Sequence, residues 1–245
     1  MSPLPSPGAR ELLTSYYRSG DALRSRSVGA ALLTATLDVP APPARLTADW
    51  QRECSAQLGL EPGDVEALSL ARTRMRWPAL RDCVQAMADW TRALGLQELL
   101  ATSDIALMAC RGARYHHDGA QYGGAAFGNL FLSEDRGLDL HFPVTGRRIP
   151  LRRGTSVVFD TGQPHAVIQR HASGFRAGDF APALDCTQVF LTWELPIEDG
   201  LLSQALGIAF DVDPAGARQL EVEQVRLQGE AATLCPDSGC WQRPA

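Results

Sequence analysis

The chain has no sustained run of positive charge. Its most basic stretch, Arg147-Arg148-Ile149-Pro150-Leu151-Arg152-Arg153, is short and interrupted by apolar residues, and the formal net charge over 245 residues is -5. Affinity for phosphate backbones needs a continuous cationic face, so nucleic acid and anionic membrane surfaces are not expected as partners. Nor does any uninterrupted apolar run approach the ~20 residues that a membrane-spanning helix needs. The opening residues, Met1-Ser2-Pro3-Leu4-Pro5-Ser6-Pro7, lack both the basic start and the apolar core of a secretory signal. Internal repeats, low-complexity tracts and long linkers are missing as well. Cysteine is sparse: Cys54, Cys83, Cys110, Cys186, Cys235 and Cys240 sit in mixed settings, in a chain too large to need stapling. A reduced cytoplasm is their expected location.

What is present suits a single domain over residues 1–245: at 45% hydrophobic content the chain can bury a full core. The first part, 1–102, reads as a helical support region. Ser6 and Pro7 suit the opening of a helix carrying Leu12, Leu13, Tyr16 and Tyr17 to Gly20. The run 30–39, bounded by Pro40, Pro42 and Pro43, suits a buried strand. Thr47 suits the cap of a helix bearing Trp50, Cys54 and Leu58, with Gly59 at its end. The clearest helix starts near Pro78, with Leu80, Val84, Met87, Thr91 and Leu94 at steps of three or four until Gly95.

From Ser103 the texture changes to short β-type runs at 105–110, 129–132, 138–142, 149–151, 155–159, 166–169 and 187–195, separated by glycine-rich or charged turns. That spacing marks an antiparallel sandwich or small barrel over 103–196. In the extension 197–245, residues 201–208 suit a short helix, 221–227 alternate like an edge strand, and 235–245 read as a loose tail. Cys235 and Cys240 there are a weak metal or disulfide signal.

The chemistry concentrates in Arg111-Gly112-Ala113-Arg114-Tyr115-His116-His117-Asp118-Gly119 and in Gly154 to His165. Side chains alternate along a strand, so His116 and Asp118 point one way and His117 the other. Among the remaining histidines, His141 lies inside an ordinary strand and His171 in a polar loop. His165 follows a strand and a Gly-Gln-Pro turn, where a hairpin would turn its ring inward. Two histidines and one carboxylate on one face of an ion leave positions open, as in non-haem Fe(II) oxygenases.

With these residues the chain resembles the Fe(II)/2-oxoglutarate-dependent dioxygenase superfamily, in its prolyl hydroxylase-like branch. The likeness spans about residues 105–195 and rests on Gly112 before His116-His117-Asp118, Gly154 with Phe159, Pro164-His165-Ala166-Val167, and Gly174-Phe175-Arg176. It implies a mainly β (α+β) fold, a double-stranded β-helix with a jelly-roll or cupin-like core and supporting amino-terminal helices. It also implies Fe(II) on His116, Asp118 and His165, 2-oxoglutarate as cosubstrate with O2, and hydroxylation of an unactivated C–H bond in a small-molecule or peptidyl substrate. With Asp118 present, hydroxylation is favoured over halogenation.

Arg176 is the implied partner of the distal carboxylate of 2-oxoglutarate, since a guanidinium fork matches a carboxylate. In relatives that arginine begins the final core strand, whereas here Arg176 is followed by Ala177-Gly178-Asp179-Phe180-Ala181-Pro182-Ala183-Leu184 before the apparent strand at 187–195. Arg170 is the competing anchor, and Tyr122 is placed to hydrogen-bond the cosubstrate. Two other readings stay open. A cupin would share Gly154, Gly162 and His165, but would show His-x-His followed by glutamate where this chain has His117-Asp118-Gly119. A non-catalytic β-sandwich binding a small ligand would leave the histidines merely hydrogen-bonded.

Overall fold

The computed structural model describes residues 13–181 and 184–242. Its first described residues form a hairpin of β1 (Leu13–Ser19) and β2 (Ala22–Ser27), closed by Gly20 and Asp21 with Gly20 at φ +60°. This corrects the helix expected through Tyr16 and Tyr17; its Ser6–Pro7 opening lies outside the described residues. Threonine and tyrosine favour a pleated strand, and a two-residue turn containing glycine favours a hairpin over a helix end. Both tyrosines are buried although neighbours on a strand face opposite ways: Tyr17 joins the core, and Tyr16 Oη donates to Asp213 on the other side.

The strand expected at 30–39 is shorter, β3 (Leu33–Thr36), and lies half-exposed at a sheet edge. Helix α1 (Ala44–Arg52) starts after Pro43, so Thr47 is inside it; it continues as a π-helical turn, Glu53–Gln57, which carries the buried Cys54. An unexpected short strand, β4 (Val65–Leu68), follows, then α2 (Leu70–Arg76), capped by the Ser69 hydroxyl. The helix from Pro78 is α3 (Leu80–Ala93), burying Leu80, Met87 and Thr91, and α4 (Gln97–Thr102) completes the first part. Residues 1–102 are thus not purely helical, because β3 and β4 border the core sheet.

Eight strands build the core: β5 (Ile105–Cys110), β6 (Ala113–His116), β7 (Ala125–Phe131), β8 (Leu138–Phe142), β9 (Arg147–Pro150), β10 (Thr155–Asp160), β11 (His165–Gln169) and β12 (Gln188–Pro196). With β3 and β4 added at its two edges, one sheet has the order β3-β10-β7-β12-β5-β4 and the other β6-β11-β8-β9, every pairing antiparallel. The chain switches between sheets as it advances, which is the double-stranded β-helix. Alternation then sorts the larger sheet into two faces. Leu107, Leu130, Val158 and Leu191 pack toward α3 and its Met87, while Phe127, Phe131, Val157, Phe159 and Phe190 face the lumen between the sheets.

Beyond the core, α5 (Gly200–Leu206) is capped by Asp199, and α6 (Pro214–Ala217) by Asp213. Strand β13 (Gln224–Leu227) is not an edge: it lies between β1 and β14 (Glu230–Ala231). The expected loose tail is in fact a hairpin of β15 (Thr233–Leu234) and β16 (Trp241–Gln242). It is docked on β6, where the Tyr115 amide donates to the Pro236 carbonyl and the Trp241 ring stacks on His117. Cys235 and Cys240, both free thiols, flank its turn. Among the described residues no helix is long and apolar enough to cross a membrane.

Candidate metal centre

Between the run 105–110 and His116 the chain is broken at Arg111-Gly112. Gly112 has φ +69°, and a side chain there would strike the Phe180 ring, so the chain turns from β5 in one sheet into β6 in the other. β6 then pairs with β11 through a bulge: His165 lies opposite His116, but Val167 lies opposite Ala113, three residues against two. The extra residue lets His116 turn inward beside His165 while Tyr115 faces out. On that outer face Tyr115 Oη and His141 Nδ1 share a hydrogen bond of 2.6 Å.

His116, Asp118 and His165 converge, with one ligand atom of each within 4.8 Å of the others. His116 Nε2 is 3.8 Å from Asp118 Oδ1, and His165 Nε2 is 3.6 Å from Asp118 Oδ2. Each imidazole is oriented from behind: Nδ1 of His116 donates to the Arg114 carbonyl at 2.7 Å, and Nδ1 of His165 to the Gln163 carbonyl at 3.0 Å. A carbonyl can only accept, so both Nδ1 atoms carry the proton and both Nε2 lone pairs face the carboxylate. That is the tautomer a metal ligand needs. Burial holds the His165 imidazolium well below its ordinary range, and His116 adds to the effect. Burial also pushes the Asp118 carboxyl up, against the pull of His116. A cation between neutral imidazoles and this carboxylate relieves the cost of burying its charge, so the donor set fits a divalent metal.

The scaffold of the site includes residues the sequence reading did not single out. Asp160 and Arg26, both with fully buried side chains, form a two-pronged ion pair at 2.6 and 2.8 Å. The same carboxylate accepts from the amides of Gly29 and Gly162, and Arg26 Nε donates to the Gly123 carbonyl. Thr161 completes the tie: its carbonyl accepts from the Asp118 amide and its hydroxyl lies within hydrogen-bond distance of the Tyr122 and Ala125 carbonyls. The loops bearing Asp118 and His165 are therefore fastened to each other and to β2. The pairing is invisible in the sequence, since its two members lie 134 residues apart.

Tyr122 stands at the rim of the lumen, its ring 5.1 Å from Phe127 and its phenol raised by burial and by the nearby Glu194 and Asp118. His117 points away from the triad as alternation requires; burial pushes it down to about 4. The two candidate anchors are not brought to the triad. Arg170 is on the outer face of its sheet, five residues from His165 and so of opposite parity, where it pairs with Asp139 at 3.0 Å and Asp135 at 2.8 Å. Arg176 is exposed, at the head of a short 3-10 turn, Ala177–Phe180, in the β11–β12 connection. The final core strand begins instead with Gln188, fully buried with both amide atoms unpartnered.

No family model matches the chain, and none of the curated proteins does. Solved structures similar to it include a Pseudomonas putida prolyl-4-hydroxylase, at 18% identity and a TM-score of 0.42, with 68% of this chain and 92% of that one covered. Another is EvdO2 of Micromonospora carbonacea var. aurantiaca complexed with 2-oxoglutarate, at 12% and 0.41, covering 78% and 92%. A third is the collagen prolyl hydroxylase vCPH of Paramecium Bursaria Chlorella virus-1, at 9% and 0.36, covering 69% and 96%. The fold assignment rests on the strand order above, and the chemistry on the triad.

Proposed function

We propose that this chain is a mononuclear non-haem iron oxygenase that couples decarboxylation of a 2-oxo acid to hydroxylation of a C–H bond in a small-molecule or peptidyl substrate. The cosubstrate implied by the sequence resemblance is 2-oxoglutarate. One observation carries the reading: two imidazoles fixed in the ligand tautomer by backbone carbonyls, and a carboxylate, meet at the mouth of a β-helix. Three protein ligands on one face leave positions for a chelating cosubstrate and dioxygen. When bound, iron with 2-oxo acid and dioxygen supplies the oxidising power, the acid losing carbon dioxide as one oxygen atom passes to the substrate.

The protein's own part is placement. His116, Asp118 and His165 hold the metal, the Arg26–Asp160 pair holds their loops, and Phe159, 4.8 Å from the His165 ring, excludes water beneath it. Tyr122 at the rim is assigned to contact the bound organic ligand; Arg170 and Arg176 are given no part. The carboxylate of Asp118 favours hydroxyl transfer over halogenation, because it fills the position a halide would take.

Anaerobic addition of Fe(II) and a saturating 2-oxo acid, 2-oxoglutarate first, should raise a weak visible charge-transfer band. Asp118→Ala should lose it together with at least ~100-fold in metal affinity, since carboxylate and imidazole ligands dominate binding of such ions. A wild-type protein that binds Fe(II) yet gives no band with any 2-oxo acid would sink the proposal.

A further inference from the structure

A buried dianion needs a fixed cation, and no arginine among the described residues is buried in the lumen below the triad. All 23 basic residues of the chain are arginine. Among the described residues Arg26 alone is buried, and it is spent on Asp160. Arg147, which shares a face with Phe142, is exposed.

What does face the lumen is ordered in layers by the strand registers. The uppermost contains Phe127 opposite Phe159, against His165. The next contains Asn129, with Thr192 and Val157 as its Cα partners on either side. Below that, Phe131 lies opposite Phe190, their rings 5.1 Å apart, and forms a floor. Successive layers are two residues apart along a strand, about 6–7 Å. Asn129 Oδ1 is buried without a partner. An amide oxygen only accepts, so this atom offers a carboxylate no hydrogen bond in place of the water it would lose.

We propose that this second layer receives the far end of the 2-oxo acid. It meets that end with the neutral pair Asn129 and Thr192 over an aromatic floor, so the site prefers 2-oxo acids with an uncharged side chain to 2-oxoglutarate. The inference rests on the 2-oxo-acid-dependent reading above and concerns only which acid fits. The reason is desolvation: a second carboxylate placed against Phe131, Phe190 and Val157 gives up its water and gains no counter-charge, whereas an ester, hydroxyl or alkyl end gives up little.

Calorimetric titration of the Mn(II)-loaded protein, which binds without turnover, compares 2-oxoglutarate with its 5-methyl ester and with 2-oxohexanoate. The uncharged acids are expected to bind at least ~10-fold more tightly, one pKa-unit equivalent of free energy. Thr192→Lys, which puts a cation into the layer, should reverse the order in favour of 2-oxoglutarate. If that variant does not fold, Asn129→Asp should weaken 2-oxoglutarate further while changing 2-oxohexanoate less. Equal or tighter binding of 2-oxoglutarate by the wild-type protein overturns the inference and leaves the oxygenase reading standing. A metal-loaded protein that binds neither class overturns both.

Discussion

At the scale of single residues, the loops of the triad are tied by one carboxylate that lies outside it. Asp160 accepts four hydrogen bonds, two from Arg26 and one each from the Gly29 and Gly162 amides. The pair is dehydrated, so its net worth over an apolar pair is small, yet removing one partner strands a buried charge. Arg26→Met should therefore cost about 3–5 kcal/mol in unfolding free energy. Arg26→Met combined with Asp160→Leu should regain part of that loss. Metal affinity should stay reduced in the double variant, because the ties from Asp160 to the turn before His165 are gone. Chemical denaturation and metal titration on the two variants read stability and positioning separately. A double variant with wild-type metal affinity would reduce Asp160 to a structural role.

At the scale of elements, what could be read from sequence depended on how local each signal is. The α3 periodicity and the runs 105–110 and 138–142 are local, and the structure has them there. Alternation and a turn single out His116, Asp118 and His165 in the sequence, and the structure brings the three together, though the inward turn of His116 also needs the pairing of β6 with β11. The β1–β2 hairpin was misread because Leu13, Tyr16 and Tyr17 fit a helical face as well as a strand, and only pairing with β13 decides between them. The bulge in β6, the docking of the β15–β16 hairpin and the exposure of Arg176 likewise depend on partners remote in sequence. Gly154 shows a local signal whose reason is tertiary. It was legible as a motif glycine before β10, and it has φ +83° with the Leu37 carbonyl oxygen 2.0 Å from where a Cβ would lie. Its amide donates to Phe131 and its carbonyl accepts from Leu37, so it joins three strands. Gly154→Ala combines left-handed strain of about 1 kcal/mol with a backbone clash that forces β3 away from β10. A loss of about 2–4 kcal/mol is expected by denaturant titration, and a loss below 1 kcal/mol would mean that β3 yields freely.

For the molecule as a whole, the histidines set how stability responds to acid. Burial lowers His117 to about 4, lowers His141 with help from Arg148, and lowers His165 well below its ordinary value. In the unfolded chain each would take up a proton near its reference value of about 6.5. The folded state resists that proton, so the unfolded state binds more protons below pH 6.5 and stability falls as pH falls. The contribution is complete above the unfolded value and is lost progressively on the way down to each folded one. For the fully buried His165 the slope is about 1.4 kcal/mol per pH unit; the more exposed His141 contributes less. Asp118 and Glu194, raised by burial, act in the opposite sense, gaining stability as they protonate. They oppose the histidines from their unfolded values near pH 4 up to their raised folded ones, but they are two carboxyls, Glu194 being exposed, against three imidazoles, so the histidines set the sign from pH 6.5 to about 4.5. The metal-free protein should therefore lose unfolding free energy steadily across that interval at constant denaturant slope. Saturating divalent metal should raise the whole curve and steepen its acid limb, because protons and metal compete for the same nitrogens. A metal-free stability that stays flat or rises between pH 6.5 and 4.5 would show that these imidazoles are not held neutral by burial.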